Sequence, residues 1–207
     1  MSKTHSPACW LSRFAACVAV SYDQAARYFT GARQVIVSGN PVRAGVWQKS
    51  REEGRRSMGL SDNARLILVF GGSRGARPIT EAALTAAPRL LTDRKLVLLV
   101  VTGTADFATI EEKVRHLGIQ AWQAGKMLVR PYLYNMEDAL AAADVVVTRA
   151  GATTLAEITA RGIPAVLIPS PYVTANHQEH NARALADRGA AVMIRQQELT
   201  GELLAET

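Results

Sequence analysis

The sequence predicts an α/β fold, a Rossmann-like doubly wound parallel sheet, and three observations predict it. From residue 60 onward, short apolar runs alternate with amphipathic stretches of helical length. The runs are apolar at every position, the pattern of strands covered on both faces. Glycine-rich or small-residue turns follow several of them, as where a strand passes directly into a helix.

The elements follow in order. Residues 66–70 form the first strand and end at Gly71-Gly72. Residues 76–91 read as a helix, with Pro78 tolerated in its first turn. Residues 96–101 are the next strand, and 105–117 the helix behind it, with Gly118 as its stop. A strand over 127–131, a helix over 136–143, a strand over 144–148 and a helix over 153–161 closed by Gly162 come next. A strand over 165–168, a helix over 176–188 closed by Gly189, and a strand over 191–194 complete the alternation. A further helix begins at Glu198 and is expected to be cut short by the chain end. Ligands of such sheets bind beyond the carboxyl ends of the strands, which points to the loops after Phe70, Val101, Arg130, Thr148 and Ile168.

Residues 63–207 thus form one domain. Residues 1–44 stand outside the pattern, as the remnant of a second domain and a hinge at Gly39-Asn40-Pro41, and 45–62 read as a charged connector. Within the first segment, 8–20 is an apolar stretch, and a helical stretch is followed by a strand over 34–38. Cys9 and Cys17, eight residues apart, would share a helix face as small apolar fillers, and nothing in their spacing suggests a disulfide or a metal site. The apolar stretch is too short to cross a membrane, which takes about 20 residues.

The net charge is +6, and residues 1–56 carry all of it, with nine Lys/Arg against three acids. A basic head on a neutral body suits a phosphorylated ligand or an anionic membrane surface; it also describes a plain solvated flank. No stripe of aromatic and basic residues points to nucleic acid. With 48% hydrophobic residues, the chain has ample material for a core and no signature of disorder.

Three turns carry chemistry. Gly71-Gly72-Ser73-Arg74-Gly75-Ala76 joins a strand to a helix. Its glycines let the backbone approach an anion, the helix behind offers free N–H groups, and Ser73 adds a hydroxyl. It lacks both the Walker ending and the GxGxxG spacing, and such a turn also serves simply to pack a helix onto a strand. Residues 148–157 repeat the arrangement. The N–H groups of Ala152, Thr153 and Thr154 are placed to cradle a diphosphate, and Glu157, one turn further in, to accept hydrogen bonds from a ribose diol. The alternative for Glu157 is a capping box with Thr153 or Thr154. The third turn, 169–182, leads through two prolines into a helix on which Gln178 and Asn181 share one face. Paired amides donate and accept, which suits sugar hydroxyls, although capping by Asn176 with a polar surface beyond is the plainer reading. His177 and His180 have the spacing of two metal ligands without an evident third, and Asp-X-Asp occurs nowhere, so neither metal nor cofactor is expected.

GNPVR at 39–43, GGSRGA at 71–76, ADVVVTRAGATTLAEITARGIPAVLIPSP at 143–171, NHQEHNA at 176–182 and RGAA at 188–191 appear in that order. Together they resemble the bacterial MurG-type enzymes, the undecaprenyl-diphospho-muramoylpentapeptide N-acetylglucosaminyltransferases. The resemblance implies a GT-B fold of which this chain holds the C-terminal, donor-binding half. It implies inverting, metal-free transfer of N-acetylglucosamine from UDP-N-acetylglucosamine to lipid-linked MurNAc-pentapeptide, in peptidoglycan synthesis. It places the protein in the cytoplasm, peripheral to the inner face of the plasma membrane. By the same resemblance Arg43 lies near the nucleotide, Ser73 touches the diphosphate, and Leu133 offers its backbone to the uracil. Ala152, Thr153, Thr154, Leu155 and Ala156 line the diphosphate and sugar, Glu157 holds the ribose, and Gln178 and Asn181 read the sugar hydroxyls. The family's glycine-rich N-terminal loop, with its histidine and acceptor surface, has no counterpart here, so no catalytic residue is assigned. Two other readings stay open: another GT-B glycosyltransferase, and a non-catalytic UDP-sugar-binding subunit of a split enzyme.

Overall fold

The computed structural model describes residues 7–73, 75–116 and 125–207. Arg74 in the first turn, and the helix stop expected at Gly118, lie outside them. The chain divides into two compact units, Met1–Val42 and Arg43–Thr207.

The first unit runs α1 (Pro7–Leu11), a 3-10 turn (Ser12–Phe14), β1 (Val18–Val20), α2 (Asp23–Ala26) and β2 (Val35–Val37). The strands pair in parallel, Val18 opposite Val35. The apolar stretch 8–20 is therefore not one helix but a short helix, a turn and a strand. The Ser12 hydroxyl turns back to the Cys9 carbonyl at 2.7 Å, and β-branched Val18 and Val20 favour the strand. Cys9 sits half-buried on α1 and Cys17 exposed before β1, so the two thiols share no helix face. Beyond β2, the Asn40 side chain accepts a hydrogen bond from the Ser21 hydroxyl.

The second unit begins with α3 (Ala44–Gln48) and α4 (Arg51–Ser57). Then follow β3 (Arg65–Phe70), α5 (Arg77–Leu90), β4 (Leu96–Val101), α6 (Phe107–His116), β5 (Met127–Arg130) and α7 (Met136–Ala142). The chain continues with β6 (Val145–Thr148), α8 (Ala152–Arg161), β7 (Ala165–Leu167), a 3-10 turn (Thr174–Asn176), α9 (His177–Ala186), β8 (Ala191–Met193) and α10 (Gly201–Glu206). The six strands form one parallel sheet in the order β5-β4-β3-β6-β7-β8. Leu68 and Val69 point to opposite faces of it and are 0% and 1% exposed, so both faces are covered, as the continuous apolar runs require. The order reverses at β3: β4 and β5 build outward on one side, and β6 returns to the other. That reversal opens a crevice at the carboxyl ends of β3 and β6.

The segment read as a charged connector is instead the two helices α3 and α4 of this unit. Ser50-Arg51-Glu52-Glu53 begins α4 with a capping box: Ser50 Oγ accepts from the Glu53 N–H at 3.1 Å and Glu53 Oε2 from the Ser50 N–H at 2.8 Å. Gly54 lets α4 lie against α7 at backbone distance, for a Cβ there would stand 2.6 Å from the Asp138 carbonyl oxygen. Arg55, 8% exposed, turns under the helix, and its Nη2 donates to the carbonyls of Ser61, Asp62 and Ala64 at 2.6, 3.1 and 2.7 Å. Removing it leaves three carbonyls short of a charged donor. Arg55→Leu is expected to lower the free energy of unfolding by about 2–3 kcal/mol in a urea titration.

Candidate functional site

Two strand–turn–helix corners meet at the crevice. The first runs from β3 through residues 71–76 into α5. Gly75 has φ +76°, and a Cβ on it would run into the Thr102 carbonyl oxygen. The turn thus rests on the end of β4, a position only glycine fills without moving backbone. Ser73 is exposed at the tip.

The second corner runs from β6 through Arg149-Ala150-Gly151 into α8. Gly151 is the N-cap residue and offers no side chain. The Leu155 N–H bonds the Gly151 carbonyl at 2.9 Å, so the N–H groups of Ala152, Thr153 and Thr154 are the ones left over at this end. They carry the positive end of the helix dipole. Leu155 itself is 3% exposed and packs inward, behind the site. Ala156 is half-buried.

Because the helix is capped at Gly151, Glu157 lies beyond the reach of a capping box with Thr153 or Thr154. It is 8% exposed, and it takes a different partner. Arg43, the N-cap residue of α3, donates from Nη2 to Glu157 Oε1 at 3.2 Å. Its Nη1 stands 3.6 Å from Glu137 Oε2 on α7. The Arg43 side chain is 59% exposed, so the pair joins a half-open cation to a nearly buried carboxylate.

Gln178 and Asn181 project from α9 toward the loops after β7 and β6. Gln178 Oε1 accepts from the Ser170 N–H at 2.9 Å, and Asn181 Nδ2 donates to the Ala150 carbonyl at 3.1 Å. Each amide is thereby oriented by a loop while its other end remains free among the described residues. Asn176 stands at the N-cap position of α9, but its side chain makes no capping hydrogen bond, contrary to the plainer reading. It sits at φ +50° and its amide donates to Glu179 Oε2 at 2.6 Å. His177 and His180 are exposed, His177 donating from Nδ1 to the Thr174 carbonyl at 2.9 Å. Among the described residues no three His, Cys, Asp or Glu side chains stand close enough together to hold a metal ion.

Glu179 anchors this region. Hydrogen bonds from Asn176 and then Arg183, with Arg195 nearby at 3.5 Å, hold its carboxyl down to about 2. The folded value lies below the ordinary 4.5. The carboxylate therefore stabilises the fold fully above pH 4.5, and that stabilisation is lost as pH falls toward 2. A carbon-13 NMR titration is expected to find the Glu179 midpoint near 2 and to find it raised in Arg183→Gln.

Leu133 is half-buried beyond the carboxyl end of β5, between Tyr132 and Tyr134. Those two rings meet edge to face at 5.0 Å, and Tyr134 is 91% exposed. Two residues at the site went unread in the sequence. Arg149 donates to the Ile168 carbonyl at 3.0 Å and to Gln196 Oε1 at 2.6 Å, tying the loops after β6, β7 and β8 together. Its signal was a lone charge in a small-residue turn directly after a buried strand. Glu137 left no signal, for its role depends on α7 lying beside Arg43.

Residues 66–207 match the family model described as the glycosyltransferase family 28 C-terminal domain. The UDP-N-acetylglucosamine–N-acetylmuramyl-(pentapeptide) pyrophosphoryl-undecaprenol N-acetylglucosamine transferase of Desulforamulus reducens is 44% identical over 196 residues, which are 95% of this chain and 53% of that protein. The enzyme of the same name from Halalkalibacterium halodurans is 44% identical over 200 residues, with the same shares. The crystal structure of Acinetobacter baumannii MurG superposes with a TM-score of 0.65 at 26% identity, over 92% of this chain and 56% of that one. The chain spans about half the length of the curated relatives it matches.

Proposed function

This chain belongs to the glycosyltransferase family 28 C-terminal domain family, and we propose that it supplies the donor-binding half of a UDP-N-acetylglucosamine transferase acting on lipid-linked MurNAc-pentapeptide. The observation that carries this reading is the second corner. An uncapped helix N-terminus at the switch point of the sheet has a buried carboxylate one turn behind it and two loop-oriented amides on the neighbouring helix. The names of the relatives support the same donor and acceptor.

Inverting transfer needs a base for the attacking hydroxyl and relief for the charge that gathers on the departing UDP. This chain's residues provide the second. The N–H groups of Ala152, Thr153 and Thr154 and the Ser73 hydroxyl receive the diphosphate, and their fixed dipoles stabilise its growing charge without a metal. Glu157 accepts from the ribose hydroxyls, Arg43 lies along the nucleotide, and the backbone of Leu133 pairs with the uracil. Gln178 and Asn181 read the sugar hydroxyls with the amide ends that the loops leave open. The base and the acceptor surface belong to the part of the relatives that this chain does not span.

The place of action follows from the acceptor: the cytoplasm, at the inner face of the plasma membrane. Among the described residues no helix is long and apolar enough to cross a membrane.

Calorimetric titration of the chain with UDP-N-acetylglucosamine, UDP-glucose and UDP tests the reading. Binding of UDP together with a preference for the N-acetylglucosamine donor is the expected result. Indifference among the two sugars would reduce the site to a UDP-binding module, and no binding of any of the three would sink the proposal.

A further inference from the structure

Two carboxylates, Glu157 and Glu137, stand beside the same guanidinium, that of Arg43. Arg43 bonds Glu157 at 3.2 Å and stands 3.6 Å from Glu137 Oε2, too far for a hydrogen bond. That Glu137 oxygen is shielded from solvent and accepts no hydrogen bond among the described residues. A shielded carboxylate oxygen without a donor is an unfavourable arrangement, and a short movement of the exposed Arg43 would relieve it. Meanwhile Glu157, taken as the acceptor for the ribose diol, is engaged by the same arginine.

We propose that Glu137 is a positioning residue that receives Arg43 when a nucleotide claims Glu157. The proposal rests on the reading of Glu157 as the ribose acceptor. The bond from Arg43 keeps Glu157 paired, so a nearly buried carboxylate is not left alone. An incoming ribose replaces the guanidinium with two hydroxyl donors. Arg43 then closes its gap to Glu137 Oε2, gaining there the charge-assisted hydrogen bond it loses on Glu157. The exchange makes diol recognition cheaper than simple displacement of an ion pair, and it leaves the positive charge within the site, beside the nucleotide.

The test compares UDP with 2′,3′-dideoxy-UDP by calorimetry on the full chain and on Glu137→Gln, Arg43→Gln and the double variant, each checked for an unchanged melting temperature. The wild type is expected to bind UDP more tightly than the dideoxy compound. Glu137→Gln is expected to weaken UDP about three- to fivefold, a modest figure because Arg43 is largely exposed, and to leave dideoxy-UDP unchanged. In the Arg43→Gln background the same change is expected to have no effect. Equal weakening of both ligands, no weakening of UDP, or a loss that persists without Arg43 would each overturn the role of Glu137 while leaving Glu157 in place. Equal affinity of the wild type for the two ligands would instead remove Glu157 as the ribose acceptor, and the proposal with it.

Discussion

Gly75→Ala is expected to be among the most damaging single-methyl additions in the second unit. Two costs combine. At φ +76° a side chain is strained by roughly 1–2 kcal/mol wherever it stands. Here the new Cβ also meets the carbonyl oxygen of Thr102, which is backbone at the end of β4 and has no rotamer to change. The turn must lift off the strand, taking the start of α5 with it. A total near 3 kcal/mol is expected, or a fall in melting temperature of about 6–12 °C for a chain of this size. Gly72→Ala provides the comparison. Gly72 also has positive φ, +89°, but nothing lies within 4 Å of a Cβ there. It should lose only the conformational part, about 1–2 kcal/mol. Equal losses at the two positions would show that backbone strain, and not the contact with β4, governs the turn.

Glu157→Gln is expected to have the largest effect on ligand binding. The change keeps the shape, removes the charge and turns one of the two acceptor oxygens into an NH2 donor. Hydrogen bonds from ribose hydroxyls to a carboxylate in a nearly buried setting are stronger than those to a neutral amide, with charged partners contributing about 1.5–3 kcal/mol. Affinity for UDP and for UDP-N-acetylglucosamine should fall together, by about ten- to a hundredfold. Stability should change little, because Arg43, the partner lost, is 59% exposed and such pairs contribute about 1 kcal/mol or less. A variant that melts like the wild type and binds UDP with unchanged Kd would remove the ribose role from Glu157.

The two results divide along what was readable in the chain. Strands β3 and β4 were legible because residues 66–70 of the one and 96–101 of the other lie in a sheet covered on both sides, which leaves an unbroken apolar run in each. The corners after β3 and β6 were legible from glycines placed between strand and helix. Glu157 was legible as a candidate, but its partner was not. Arg43 lies 114 residues earlier, and no local rule links them. Glu137 was invisible for the same reason, since its part depends on how α3, α7 and α8 come together. The missed helix α4 is a different kind of failure. Its capping box, Ser50 with Glu53, stood in the sequence, but the density of charge there suggested a linker, and the buried turn of Arg55 beneath the helix cannot be seen without the fold. In the first unit, β1 is three residues long, too short for any periodicity to announce it.

The position of β3 at the middle of the sheet governs how the second unit is assembled in time. The strand is made first, yet one of its two neighbours, β6, lies far downstream: the Leu66 N–H waits for the Asp144 carboxylate, 78 residues later. On a growing polypeptide, β4 and β5 can zip onto one side of β3 while the other side stays an open row of donors and acceptors. Closing it takes a long-range encounter, and pairings of this kind slow folding and leave partly built sheets sticky. The crevice between β3 and β6 is therefore complete only once β6 has joined the sheet by a long-range pairing.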